Sequence, residues 1–224
     1  MGLRTLSPLE ARVVGVLVEK QHTVPDSYPL SLNALVLGCN QKTARDPVMN
    51  ASEADVLGAL DGLKAASLVV EVSGSRVTRY EHNLQRVLAV RSQSVAILAM
   101  LMLRGPQTAA ELRANTERIH RFADVSSVEG FLEELSERPS EQGGPLVARL
   151  ARPPGARETR WAHLLCGSVA HEAGARAPST GEVDAADAGN LAALKAHQQQ
   201  LQAEVSELRA LVEHLYRELG VRRS

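Results

Sequence analysis

One unit occurs twice in this chain: three short helices and then a β-hairpin, over residues 7–80 and again over residues 92–165. In the first copy, Ser7-Pro8-Leu9-Glu10 is a capping box with proline at the first helical position. Leu9, Val13, Val16 and Leu17 follow at helical spacing. A second helix is predicted from near Ser31, with Leu32, Leu35, Val36 and Cys39 on one side. Ser52 and Asp55 open a third, which turns Val56, Leu60 and Leu63 inwards. Leu68–Val72 and Val77–Tyr80 flank Ser73-Gly74-Ser75-Arg76 as a hairpin. In the second copy an apolar helix from Ser92 to Leu103 stops at Gly105-Pro106. Thr108 with Glu111, and Ser126 with Glu129, are the predicted caps of the next two helices. Leu146–Leu150 and Glu158–Leu165 are the predicted strands that close the unit.

Three helices and a hairpin is the order of a winged helix, a fold that binds DNA and is also reused to bind proteins. The expected fold class is therefore mainly α with small β-hairpins (α+β): two tandem winged-helix domains plus a C-terminal coiled-coil helix. The expected boundaries are 1–83 and 84–168 for the two domains, 169–190 for a flexible linker and 191–220 for the coiled-coil helix. The linker reading rests on Gly, Ala, Ser, Pro and acids replacing large apolar residues after position 167. Beyond it Leu191, Leu194, Gln198, Leu201, Val205, Leu208, Val212, Leu215 and Leu219 recur at alternating gaps of three and four. Valine at a and leucine at d favour a parallel two-stranded coil, hence a homodimer. Leu211 and Tyr216 widen the apolar face, so a helix folding back on its own body is the alternative.

Composition narrows the function classes. The apolar fraction is 44%, ordinary for a globular protein, while aromatics are only 3%, so the cores must be built from Leu, Val and Ala. The net charge of −1 gives no global pull towards nucleic acid, and any such affinity must come from local patches. Cys39 and Cys166 stand alone, without metal or disulfide spacing. Met-Gly-Leu-Arg-Thr-Leu leads straight into a helix start, and the longest apolar run, Val95 to Leu103, is too short to span a bilayer. The expected location is cytoplasmic, with no membrane partner. No phosphate-binding glycine loop, nucleophile elbow or zinc helix is present, and the seven histidines fall at no ligand spacing. A non-enzymatic protein without cofactor, metal or catalytic residues is expected.

A winged helix normally offers its third helix to the major groove and its wing to phosphates. Here residues 52–66 carry Glu53, Asp55 and Asp61 against Lys64, and residues 126–138 carry Glu129, Glu133, Glu134 and Glu137 against Arg138. Acidic helices are penalised beside a phosphate backbone. The cations lie elsewhere. Lys42 and Arg45 flank Thr43 in the loop before the third helix, Arg76 and Arg79 lie near the first wing, and Arg152 and Arg157 lie in the second. With Gln41, these are the candidate nucleic-acid or partner contacts: Gln41, Lys42, Thr43, Arg45, Arg76, Arg79, Arg152 and Arg157. Asn40 is also read as the cap of the second helix, and Arg45 as pairing with a nearby acid. Gly58 and Gly62 are read as permitting close approach of a neighbouring helix. The leading expectation is a DNA-associated regulatory protein gripping phosphates through loop and wing. The alternative is a protein-interaction scaffold whose acidic third helices dock a basic partner.

Several long strings carry a family resemblance. They are Leu6-Ser7-Pro8-Leu9-Glu10-Ala11-Arg12-Val13, Cys39-Asn40-Gln41-Lys42-Thr43-Ala44-Arg45-Asp46-Pro47-Val48 and Arg76-Val77-Thr78-Arg79-Tyr80-Glu81-His82. Gly105-Pro106-Gln107-Thr108, Phe122-Ala123-Asp124-Val125 and Pro154-Gly155-Ala156-Arg157-Glu158-Thr159-Arg160-Trp161 continue them. On these the chain resembles the YceH family, bacterial proteins of unknown function, over about residues 5–168. The resemblance implies a tandem winged-helix architecture with a variable C-terminal coiled segment, and brings no activity or functional residues. It leads one to expect a basic residue where Ala156 stands and tyrosine where Trp161 stands. The first departure weakens a phosphate-gripping wing.

Overall fold

The computed structural model describes residues 4–72, 77–152 and 158–167. It is mainly α with small antiparallel sheets, as the sequence predicts. The first copy runs α1 (Pro8–Thr23), β1 (Leu30–Ser31), α2 (Leu32–Cys39), α3 (Glu53–Ala65), β2 (Val69–Val72) and β3 (Arg79–His82). After a short helix α4 (Leu84–Leu88), the second copy runs α5 (Ser92–Arg104), α6 (Ala109–Thr116), α7 (Val125–Ser136), β4 (Val147–Arg149) and β5 (Trp161–His163). The linker at 169–190 and the heptad segment at 191–220 lie outside the described residues.

Three of the predicted capping boxes form. Ser7 Oγ accepts from the Glu10 N–H at 3.1 Å while the Glu10 carboxylate accepts from the Ser7 N–H at 2.8 Å. Ser52 with Asp55, and Thr108 with Glu111, repeat the exchange at α3 and α6. The fourth expectation is corrected. The cap of α7 is Asp124 rather than Ser126, and its carboxylate takes both the N–H and the hydroxyl of Ser127 at 2.7 Å. A charged acceptor outcompetes a hydroxyl for the orphan donors of the first turn.

Each hairpin is joined by a short third piece that alternation did not predict. Leu30 and Ser31 pair antiparallel with Tyr80 and Arg79, which makes β1-β3-β2 a three-stranded sheet. In the second copy a bridge between Gln107 and Trp161 takes the same place beside β4-β5. Pairing across the sheet also moves β3 from the predicted 77–80 to Arg79–His82 and trims β5 to Trp161–His163.

The two copies share one core. All described residues from 4 to 167 fall within one compact unit, residues 1–174. The expected boundary at residues 83 and 84 lies inside it, just before α4. Its spine is the packing of α1 against α5, the first helix of each copy. Every residue from Glu10 to Val18 and from Ser94 to Leu103 is buried. Helical stretches buried on every side in this way belong in the middle of a core. Gly15 lets them approach, since an added Cβ would meet the Leu103 side chain at 3.0 Å. Gly62 does the same for α1 and α3, its missing Cβ leaving room for the Glu10 carboxylate. The matching expectation for Gly58 is corrected: it faces open space.

Candidate functional site

The connection between α2 and α3 holds four of the candidate contacts, and the structure divides them. Arg45 is buried, with a guanidinium that is 0% exposed. It donates to both oxygens of Glu19, at 3.1 and 2.6 Å, and also to the Gly38 and Ala44 carbonyls and to Gln41 Oε1. A guanidinium so engaged has no donor left for a phosphate. The expectation that Arg45 grips the backbone of DNA gives way to the reading that it pairs with a nearby acid. Burial raises the Glu19 carboxyl, but Arg45 and then Lys20 outweigh it and hold the group below its ordinary range. Lys42 and Thr43, by contrast, are exposed, and neither bonds to any described residue.

Two further side chains fix this loop. Arg12, 1% exposed on α1, donates to the Cys39 carbonyl at 3.2 Å and the Pro47 carbonyl at 2.7 Å. Burial, and then the charge of Arg45, lower its pKa. Asn40 faces Ala51 like a strand partner, donating to its carbonyl and accepting from its N–H, both at 2.8 Å. So Asn40 ends α2 but spends its side chain across the loop. The Asp46 N–H then reaches the Leu103 carbonyl at 2.9 Å, tying the loop to the second copy. Sequence reasoning missed Arg12 and Glu19. The available signal was their spacing with Val16 along one otherwise apolar helix face.

The wing candidates separate similarly. Arg79 is half-buried and donates to the carbonyls of Ser27 and Pro29, which fastens the loop before β1. Arg152 is exposed and bonded to no described residue. Arg76 and Arg157 lie outside the described residues. Nearby, Arg160 is taken by Glu111 at 2.8 Å and the Pro106 carbonyl, and Arg149 lies 4.8 Å over the Trp161 ring. Of the loop and wing cations among the candidates, Lys42 and Arg152 are the described ones with no partner among the described residues.

The opposite charge is better displayed. Glu129, Glu133 and Glu134 on α7 and Glu137 at its C-terminal cap are all exposed. Glu133 and Glu134 reach only loose contacts, at 3.8 Å to Arg149 and 4.0 Å to Arg91. Between α7 and the hairpin lies a groove of about 450 Å³, with Val147, Trp161 and Leu164 as its apolar part, Glu133 and Glu137 as its acidic part, and Arg149 lining it as well. Elsewhere, His82 and His163 stand at equivalent places, opposite Val69 and Val147 in their hairpins. Burial lowers both to about 4, and the Nδ1 of each is buried without a partner. Among the described residues no helix is long and apolar enough to cross a membrane.

The chain is similar to a known group of sequences. A family model described as a protein of unknown function, DUF480, matches residues 6–156. A UPF0502 protein of Burkholderia pseudomallei (strain K96243) is 62% identical over 221 residues, which covers 98% of this chain and 92% of the relative. Another, from Cupriavidus necator, is 63% identical over 222 residues, covering 98% and 89%. A third, from Methylibium petroleiphilum, is 66% identical over 224 residues, covering 98% and 92%. With a matched core and relatives of nearly equal extent, the chain belongs to the DUF480/UPF0502 family of bacterial proteins.

Proposed function

We propose that the two copies are tandem winged helices, and that the chain is a non-enzymatic, cytoplasmic binding protein that docks a basic protein partner through its third helices. The observation that carries this reading is the acidic groove beside α7. Its carboxylate rim suits the head of an arginine or lysine side chain, which would compete with Arg149 for the face of Trp161. Arg149, stacked on Trp161, illustrates the chemistry the groove accepts. The arrangement of Arg45 and Arg79 supports the same choice, since both spend their donors inside the molecule. The heptad segment is proposed to hold two copies together, so each assembly would present two such grooves.

The test uses the full chain. A photo-crosslinking residue in place of Glu134 is expected to capture a partner through a basic segment, and E133Q/E137Q to abolish that capture. A low-salt mobility shift with generic duplex DNA is expected to show no complex. A shift that disappears steeply with added salt, and with K42Q/R152Q, would overturn the reading. It would support instead the second one, phosphate binding through the exposed Lys42 and Arg152, which their lack of partners among the described residues favours.

A further inference from the structure

A second cleft lies where the two copies meet. It is about 390 Å³ in volume and is lined by the end of α1, the loop at residues 41–44, the end of α5 and the end of α6 with the residues after it. That size is in the range of sites for small molecules. Three cations line it: Lys20, Arg104 and Arg118. Arg104 is half-buried, and neither it nor Arg118 bonds to any described residue. Of the lining carboxylates, Glu19 is consumed by Arg45 and by Lys20 at 3.2 Å, which leaves Glu117 exposed at the rim. Lys20 and Arg104 each sit in the last turn of a helix, where the helix dipole favours a cation. That explains one cation per helix end, but not that both line one cleft together with Arg118.

We propose that this cleft binds a small phosphorylated molecule. Guanidinium pairs match phosphate oxygens with two parallel hydrogen bonds each, and Arg104 with Arg118 supplies two such forks. Gln41 lines the cleft with its oxygen already bound to Arg45, so its amide N–H groups remain to donate to the ligand. Met100 and Ile119 add an apolar wall for the organic part. A ligand there touches both copies at once, and touches the loop whose Asp46 N–H is bonded to the Leu103 carbonyl. Binding is therefore expected to stiffen the α2–α3 connection. This proposal stands apart from the partner reading above and its test involves no macromolecule.

The experiment is calorimetric titration of the full chain with pyrophosphate, AMP and citrate. Pyrophosphate or AMP is expected to bind saturably, and R104Q/R118Q to weaken that binding at least tenfold. The exposed arginine on α4 serves as control, and R86Q is expected to leave it unchanged. Circular dichroism is expected to show both variants folded, because neither arginine of the cleft holds up the structure. Hydrogen exchange is expected to slow over residues 40–52 when the phosphate probe is present. No saturable binding of either phosphate probe, binding of citrate alone, or binding that survives R104Q/R118Q would overturn the proposal.

Discussion

The α2–α3 connection and the α6–α7 connection occupy the same place in the two copies, yet they are held by different physics. The first spans residues 40–52 and is fastened by buried charge: Arg12, Arg45 and Glu19, with Asn40 as a cross-tie. The second spans residues 117–124 and is fastened by a turn and by rings. There the Ile119 and His120 N–H groups share the Thr116 carbonyl, and Phe122 makes edge contacts with His120 and Phe131. A long connection has many polar backbone groups to satisfy, and guanidinium forks satisfy several at once. A short one closes largely on itself, and here adds apolar cover and a single guanidinium bond, from Arg113 to the Ala123 carbonyl at 3.2 Å. Duplicate architecture thus does not imply duplicate energetics.

The contrast can be broken most sharply at Glu19. Glu19→Ala strands the buried Arg45 charge, and roughly 3–5 kcal/mol of stability should be lost. Thermal unfolding measures the loss, and hydrogen exchange should accelerate over residues 40–52 well before residues 117–124. Equal acceleration of both connections would show that the charge network does not belong to the first copy alone.

Acid should act on both copies alike, through His82 and His163. Each is held at about 4 in the fold by burial, against an ordinary value of about 6.5 when unfolded. Between these values the unfolded chain binds more protons than the native one. Stability is therefore full above about pH 6.5 and falls as pH drops towards 4, by roughly 1–2 kcal/mol for each histidine. Replacing either histidine with glutamine should flatten the dependence of Tm on pH over this window by a similar amount. A slope unchanged by both substitutions would refute the assignment.

The smallest effect sharpens the second copy. Asp124→Ala removes the cap of α7 and should cost about 1 kcal/mol, read as a shift in the denaturant midpoint. The change Ser126→Ala should cost much less, since the Asp124 carboxylate performs the capping.

Helix starts were legible in the sequence because a capping box joins residues only three positions apart. The one displaced start, at α7, required ranking two acceptors two residues apart. The hairpins were legible as hairpins, but their strand limits depend on partners such as β1, some fifty positions away in the chain. The candidate site was less legible for the same reason. In sequence Arg45 sits in a polar loop like any solvated cation, and its burial follows from Glu19, 26 residues earlier. Lys42, three residues before it, has no such partner and stays on the surface. Nothing local separates the two. Arg12 shows the converse: a charge on an apolar helix face that burial turns into a fastener for the loop opposite.

The packing of α1 on α5 has one more consequence. Two binding units on a flexible tether gain avidity only after the tether finds the right span, and longer tethers dilute the gain. Here no tether lies between the copies, because their first helices are one core. Whatever each copy holds, the spacing between the two contacts is set in advance, and a partner whose own contacts do not match that spacing gains nothing from the second. The duplication works as a gauge of distance.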